Sequence, residues 1–168
     1  ENDKDCLSEN YCELCDKNLY FARLYAKSLS LKGDIAINYY MDLSEAVLAD
    51  EKAYMEFRKE NGTIIQIPLE EAIRKTRNAE EYYVFSFPMT SKEMADIVQC
   101  RFFWSTGSSE IYTYSVKTYV DEMLPICEDE ALKNLLVAMV HYGAAAQTYF
   151  GYHTDRLANE GLEAAGYS

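Results

Sequence analysis

Three cysteines crowd the start of the chain: Cys6, Cys12 and Cys15, the last two framing Cys12-Glu13-Leu14-Cys15. Thiolates at Cys-x-x-Cys spacing make half of a tetrahedral zinc site, and Cys6 would add a third ligand. The second Cys-x-x-Cys or histidine pair that completes such sites is missing. The same spacing serves redox chemistry beside a strand-helix-strand pattern, and none precedes it. With five cysteines in all, at least one has no mate within the chain, so a local disulfide, free thiols, a metal and intermolecular pairing all stay open. Cys100 and Cys127 fall within the apolar pattern and read as small buried hydrophobes.

Other catalytic signatures are absent from the sequence. There is no Gly-x-Ser-x-Gly elbow, phosphate loop, Gly-x-Gly-x-x-Gly, His-Glu-x-x-His or EF-hand loop, so neither an enzyme nor a bound cofactor is expected. Two histidines occur. His141 sits beside an apolar helical stripe and reads as a satisfied, partly buried imidazole, and His153 as a solvated loop residue. The 28 acidic residues could include a glycosidic pair, but that chemistry depends on two carboxyls facing across a cleft, which sequence does not supply.

Aromatic content carries the stronger signal: 15 tyrosines, seven phenylalanines and one tryptophan. Flat rings with polar edges suit both sugar faces and protein partners. Phe103 faces opposite to Phe102 and Trp104 in strand alternation, while Tyr112 and Tyr114 share one side across the next hairpin. Trp104, Phe103, Tyr112 and Tyr114 are therefore the candidate ligand-binding residues, although the expected arrangement is that the C-terminal helices, which need a surface to pack on, bury this aromatic face.

The elements that must position these rings follow from periodicity. Period-two alternation marks strands at Leu29 and Leu31, Ile35–Met41, Met55–Phe57, Thr63–Ile67, Tyr82–Phe87, Val98–Trp104 and Ile111–Tyr114. Lys32-Gly33-Asp34 and Asn61-Gly62 provide turns, and the segment Glu71–Glu81 reads as a solvated connection. About seven short strands with regular turns predict an antiparallel sandwich, Ig-like or related. After Tyr114 the period becomes helical. Ser115 caps a helix through Leu124, and a second begins at Glu128-Asp129-Glu130 and ends near Gly151. Leu132, Leu135, Leu136, Met139, Gly143, Ala146 and Phe150 form its predicted buried stripe, with Gly143 and Ala146 admitting a close neighbour. Thr154 or Asp155 would cap one more short turn through Leu157. The fold class is thus α+β, a sandwich followed by two packed helices. Residues 1–26 form a cysteine-containing N-terminal segment and 27–168 a single domain.

A formal charge of −12 argues against nucleic acid and anionic membrane surfaces. The longest apolar run, Leu135–Val140, is far short of the roughly 20 residues of a spanning helix. The opening ENDKDC has neither the basic start nor the apolar core of a signal peptide.

The pieces SLSLKGDIAINYYMDLS, DEKAYMEF, YYVFSFPMTSKEMADIVQ, IYTYSVKTYVDEML, LKNLLVAMVHYGAAAQTYFGY and DRLAN, in that order, resemble a module recurring in large secreted and cell-wall proteins of gut Firmicutes. The likeness covers about Lys27 to Leu162. Cys12-Glu-Leu-Cys15 resembles the tail of short cysteine-rich units that precede this module, although Tyr11 and Asp16 replace their usual His and Gly. The resemblance implies an extracellular or cell-wall address, neighbouring leucine-rich, Ig-like or dockerin modules, and no reaction. It implies a noncatalytic structural or adhesion role toward a protein or polysaccharide partner; the surplus of aromatics, together with the dockerin company, makes carbohydrate binding near Trp104 the alternative. Export from an anaerobe is compatible with unpaired cysteines.

Overall fold

The computed structural model describes residues 19–31 and 34–167. Cys6, Cys12 and Cys15 lie outside the described residues, as do Lys32 and Gly33 of the predicted first turn. Nine strands form among the described residues: β1 (Ala22–Ser30), β2 (Ile35–Leu43), β3 (Tyr54–Arg58), β4 (Ile64–Pro68), β5 (Ile73–Arg77), β6 (Glu80–Met89), β7 (Val98–Trp104), β8 (Gly107–Ser108) and β9 (Tyr112–Tyr114). They make two antiparallel sheets. The first runs β1-β2-β6-β5, and the second runs β4-β3-β7-β8 with β9 also paired to β7.

Alternation decides what lies between them. Ile37, Tyr39 and Met41 of β2 and Phe85 and Phe87 of β6 share one core with Met55 and Phe57 of β3 and Val98, Cys100 and Phe102 of β7. Rings from the two sheets meet directly, with centroids 5.3 Å apart for Tyr39 and Phe57, 4.8 Å for Phe57 and Phe87, and 5.7 Å for Phe85 and Phe102. Offset and edge contacts of this kind are worth about 0.5–1.5 kcal/mol each beyond the area they bury. One polar atom is stranded there: the buried Tyr39 hydroxyl has no hydrogen-bond partner among the described residues.

Two strand segments escape the alternation rule, each for a physical reason. β1 begins at Ala22, ahead of the predicted boundary at Lys27, because a register shift between Leu24 and Ala26 breaks the period of two. β5 occupies the predicted solvated connection: it is exposed on both faces, and Asn78 and Ala79, both at positive φ, turn it into β6. The Asn61-Gly62 hairpin forms as read, with Gly62 at φ +84° and the Thr63 N–H donating to Asn61 Oδ1 at 2.9 Å.

A helical turn, α1 (Glu45–Leu48), follows β2. The Ser115 hydroxyl accepts the Thr118 N–H to start α2 (Val116–Met123). Asp129 caps α3 (Glu130–Phe150) by accepting from the Ala131 and Leu132 N–H groups, and Gly151 ends it in the left-handed conformation. The buried side of α3 comprises Leu136, Val137, Met139, Val140, Gly143, Ala144, Ala146 and Gln147. Two members of the predicted stripe, Leu135 and Phe150, are exposed instead. The stripe is rotated because the tail packs along α3 and Gln147 turns inward, donating to the carbonyls of His153 and Arg156 and accepting the Ala158 N–H. No capped helical turn forms at Thr154 or Asp155; a chain of turns carries the tail. The helices pack on one another, on β1 and on the 3-10 turn Ser91–Glu93. No described helix is long and apolar enough to cross a membrane.

Candidate functional site

The antiparallel register between β3 and β7 sets Tyr54 opposite Phe103, both half-buried and pointing away from the core. Their rings stack 5.2 Å apart at an interplanar angle of 16°. The Arg101 guanidinium lies 5.4 Å from the Phe103 ring, and its Nε donates to the Ser109 carbonyl at 2.9 Å. Alongside run polar residues of the same face. Glu56 accepts from Arg58 at 3.4 Å and from the Gln66 amide at 3.0 Å. Glu56, Arg58, Gln99, Arg101, Phe103 and Ile111 line a shallow depression of about 160 Å³. This face offers two stacked, near-parallel rings, a guanidinium and several planar hydrogen-bonding groups. It can recognise a surface, but it encloses nothing.

The four aromatic candidates do not form one platform. Phe103 alone takes the outward face. Trp104 points inward at the rim of the core and lies against Gly107, where an added Cβ would stand 3.0 Å from the indole ring. Tyr112 accepts the Leu24 N–H at 3.2 Å. Tyr114 is buried, donates to Glu122 and carries the Lys27 ammonium 3.4 Å above its ring. These three tie β1, β7, β9 and α2 together. Tyr54 and Arg101, which complete the outward pair, escaped sequence reasoning because nothing in one dimension links position 54 to position 103.

A second polar cluster was also hidden. His153, read as a solvated loop residue, is half-buried, and its Nδ1 lies 3.0 Å from Asp96 Oδ1 and 2.6 Å from Arg156 Nη2. Arg156 also donates to both oxygens of Glu60, and Tyr152 donates to Asp96 at 2.5 Å. The hydrogen bond from Arg156 holds the Glu60 carboxyl below its usual range, against the opposing effect of burial. Donor atoms of Glu60, Asp96 and His153 lie within 4.8 Å of one another, a spacing that suits a divalent cation. Arg156 Nη2 reaches all three and already supplies the positive charge. The cluster therefore works as a clamp between the β3–β4 hairpin, the Asp96 loop and the tail.

No family model, curated protein or solved structure matches the chain.

Among the remaining thiols and imidazoles, Cys100 is shielded and His141 is satisfied, whereas Cys127 is half-exposed rather than buried as its apolar setting predicts. Burial pushes the Cys100 thiol up to about 12. Cys127 Sγ lies 3.5 Å from the Asp129 carbonyl at the start of α3. His141 is half-buried beside the Asn159 amide at 3.0 Å, the satisfied imidazole that its helical position predicts.

Proposed function

We propose that this chain is a noncatalytic interaction module of an extracellular or cell-wall bacterial protein, and that the outer face of the second sheet is its recognition surface. The observation that carries this reading is the stacked, half-exposed Tyr54–Phe103 pair with Arg101 beside it, on a sheet face away from the helices' packing partners. Aromatic rings and arginine are the groups that dominate binding at protein surfaces. Supporting it, Cys100 is shielded by burial and both histidines are held in structural hydrogen bonds. We take the fold to be an immunoglobulin-like sandwich. Its support is the strand order, β1-β2-β6-β5 against β4-β3-β7-β9, which follows the A-B-E-D and C′-C-F-G arrangement of that class. The resemblance to secreted surface modules supplies the address, and the charge of −12 keeps nucleic acid outside the reading.

One observation favours carbohydrate as the ligand: a half-exposed, stacked aromatic pair flanked by Glu56, Arg58, Gln66 and Gln99, whose planar polar groups match sugar hydroxyls. The platform for that reading is Tyr54 with Phe103, in place of Trp104. Retention on immobilised mucin, before and after enzymatic removal of its glycans, tests both. Retention that survives deglycosylation and disappears in Tyr54→Ala/Phe103→Ala supports a protein partner. Retention lost with the glycans supports the sugar reading. A double variant that binds as well as the parent refutes the site, and an intact module that binds neither form removes adhesion to this surface and favours a structural spacer.

A further inference from the structure

An unpaired strand edge displays a row of N–H and C=O groups ready to pair with another chain, and folded proteins blunt such edges. Three of the sheet edges seen among the described residues are blunted. β1 carries a bulge and the charges of Arg23 and Lys27. β5 carries Arg74, Lys75 and Arg77. On the far side of β7, β8 and β9 contribute only two and three residues. β4 has none of these defences along Ile64-Ile65-Gln66-Ile67, a run without charge that exposes 48% of Ile64 and 38% of Ile65.

The hydrogen-bond phase shows which groups that edge offers. Lys59 N–H donates to the Thr63 carbonyl and Leu69 N–H to the Ala53 carbonyl, each at 2.9 Å. With the β3–β4 register between them, these two bonds turn the odd residues of β4 toward β3. Ile64 and Gln66 therefore aim both their N–H and C=O outward, and Pro68 aims only a C=O.

We propose that this edge pairs with the same edge of a second copy of the chain, antiparallel across a two-fold axis on Ile65. Each Ile64 then lies opposite the partner's Gln66, so every outward N–H and C=O of these residues finds a mate, giving four hydrogen bonds. The two Ile65 side chains face each other on the core side and cover the surface both expose. A second copy fits better than a charged strand because the run carries no charge of its own. Across the strand and at its turn the charges are paired, Glu56 with Arg58 and Glu60 with Arg156, and the acids Glu70 and Glu71 lie beyond Pro68, outside the run. A chain of net charge −12 thus meets its copy along a neutral strip, where self-repulsion is least. Closed two-fold pairing also consumes both edges, leaving no template for further growth.

Sedimentation velocity of the full chain from about 10 µM to about 1 mM covers the range of a short, weak interface. A concentration-dependent dimer is expected. Ile65→Lys alone and Ile65→Glu alone, which set like charges opposite each other, should weaken pairing at least about tenfold. An equimolar mixture of the two variants should restore a heterodimer, which also shows that both fold. A parent that stays monomeric throughout overturns the proposal and leaves the edge to a strand from another protein. A dimer indifferent to Ile65→Lys but broken by Tyr142→Lys, on the exposed side of α3, overturns it in favour of helix pairing. Variants that fail to recombine overturn the two-fold on Ile65.

Discussion

Gly143 lies on the buried side of α3, where an added Cβ would stand 2.8 Å from Met94 Sδ, 3.2 Å from the Ala158 Cβ and 3.2 Å from the Ser91 carbonyl oxygen. Carbon contacts are most favourable near 3.5–4.0 Å, so all three are compressed. Met94 is fully buried, and Ser91 presents backbone; neither can simply swing aside. Gly143→Ala gains about 1 kcal/mol of helix propensity. Overpacking costs about 1–3 kcal/mol, so the net expectation is a loss of about 0–2 kcal/mol. Ala145→Gly, at an exposed position of the same helix, isolates propensity and should lose about 1 kcal/mol. If propensity alone mattered, the two substitutions would be mirror images; with the close packing both fail to stabilise. Urea unfolding at 25 °C with an unchanged slope measures both, and thermal midpoints should move about 2–4 °C per kcal/mol. Gly143→Leu should cost more than Gly143→Ala. A Gly143→Ala protein more stable by about 1 kcal/mol would refute the close contact.

Tyr39→Phe should raise stability by about 1 kcal/mol in the same assay, because it removes a buried hydroxyl without a partner; a loss would show that the hydroxyl is bonded. Arg156→Gln should lower stability at pH 7 by about 1–2 kcal/mol. Since Arg156 holds the Glu60 carboxyl below its ordinary 4.5, that contribution is present above about pH 4.5 and fades as pH falls through the folded value. Parent and variant curves should therefore converge in acid, and a constant gap would contradict the clamp. Iodoacetamide at pH 8, followed by mass spectrometry, should label Cys127 in the folded protein and Cys100 only after unfolding, because burial shields the Cys100 thiol and pushes it up to about 12.

Where one face of a strand is buried and the other wet, the fold is legible from the sequence: β2 and β7 alternate as they pack, β6 does so from Phe85 onward, and Ser115 and Gly151 bound their helices as read. β5 is wet on both faces and leaves no alternation, while the β1 bulge shifts its phase. On α3, hydropathy located the helix but misplaced Leu135 and Phe150, since a buried glutamine helps set the rotation and no apolar pattern marks it. The recognition face was half-legible. Phe103 was singled out by alternation, but its mate Tyr54 is supplied by pairing across strands distant in sequence. Likewise, Glu60, Asp96, His153 and Arg156 converge only through tertiary structure, from segments that look like ordinary charged loops.

Gln147 makes its three hydrogen bonds to main-chain groups of the tail and none to a tail side chain. It therefore recognises the path of residues 153–158 and is indifferent to the side chains that line it. Point substitutions at Thr154, Asp155 or Leu157 leave those three bonds available, whereas inserting or deleting one residue between His153 and Ala158 puts the bonds out of step and strands a buried amide. The tail's length is thus constrained more tightly than its composition, and a designer wishing to diversify this end of the molecule should vary letters and keep the count.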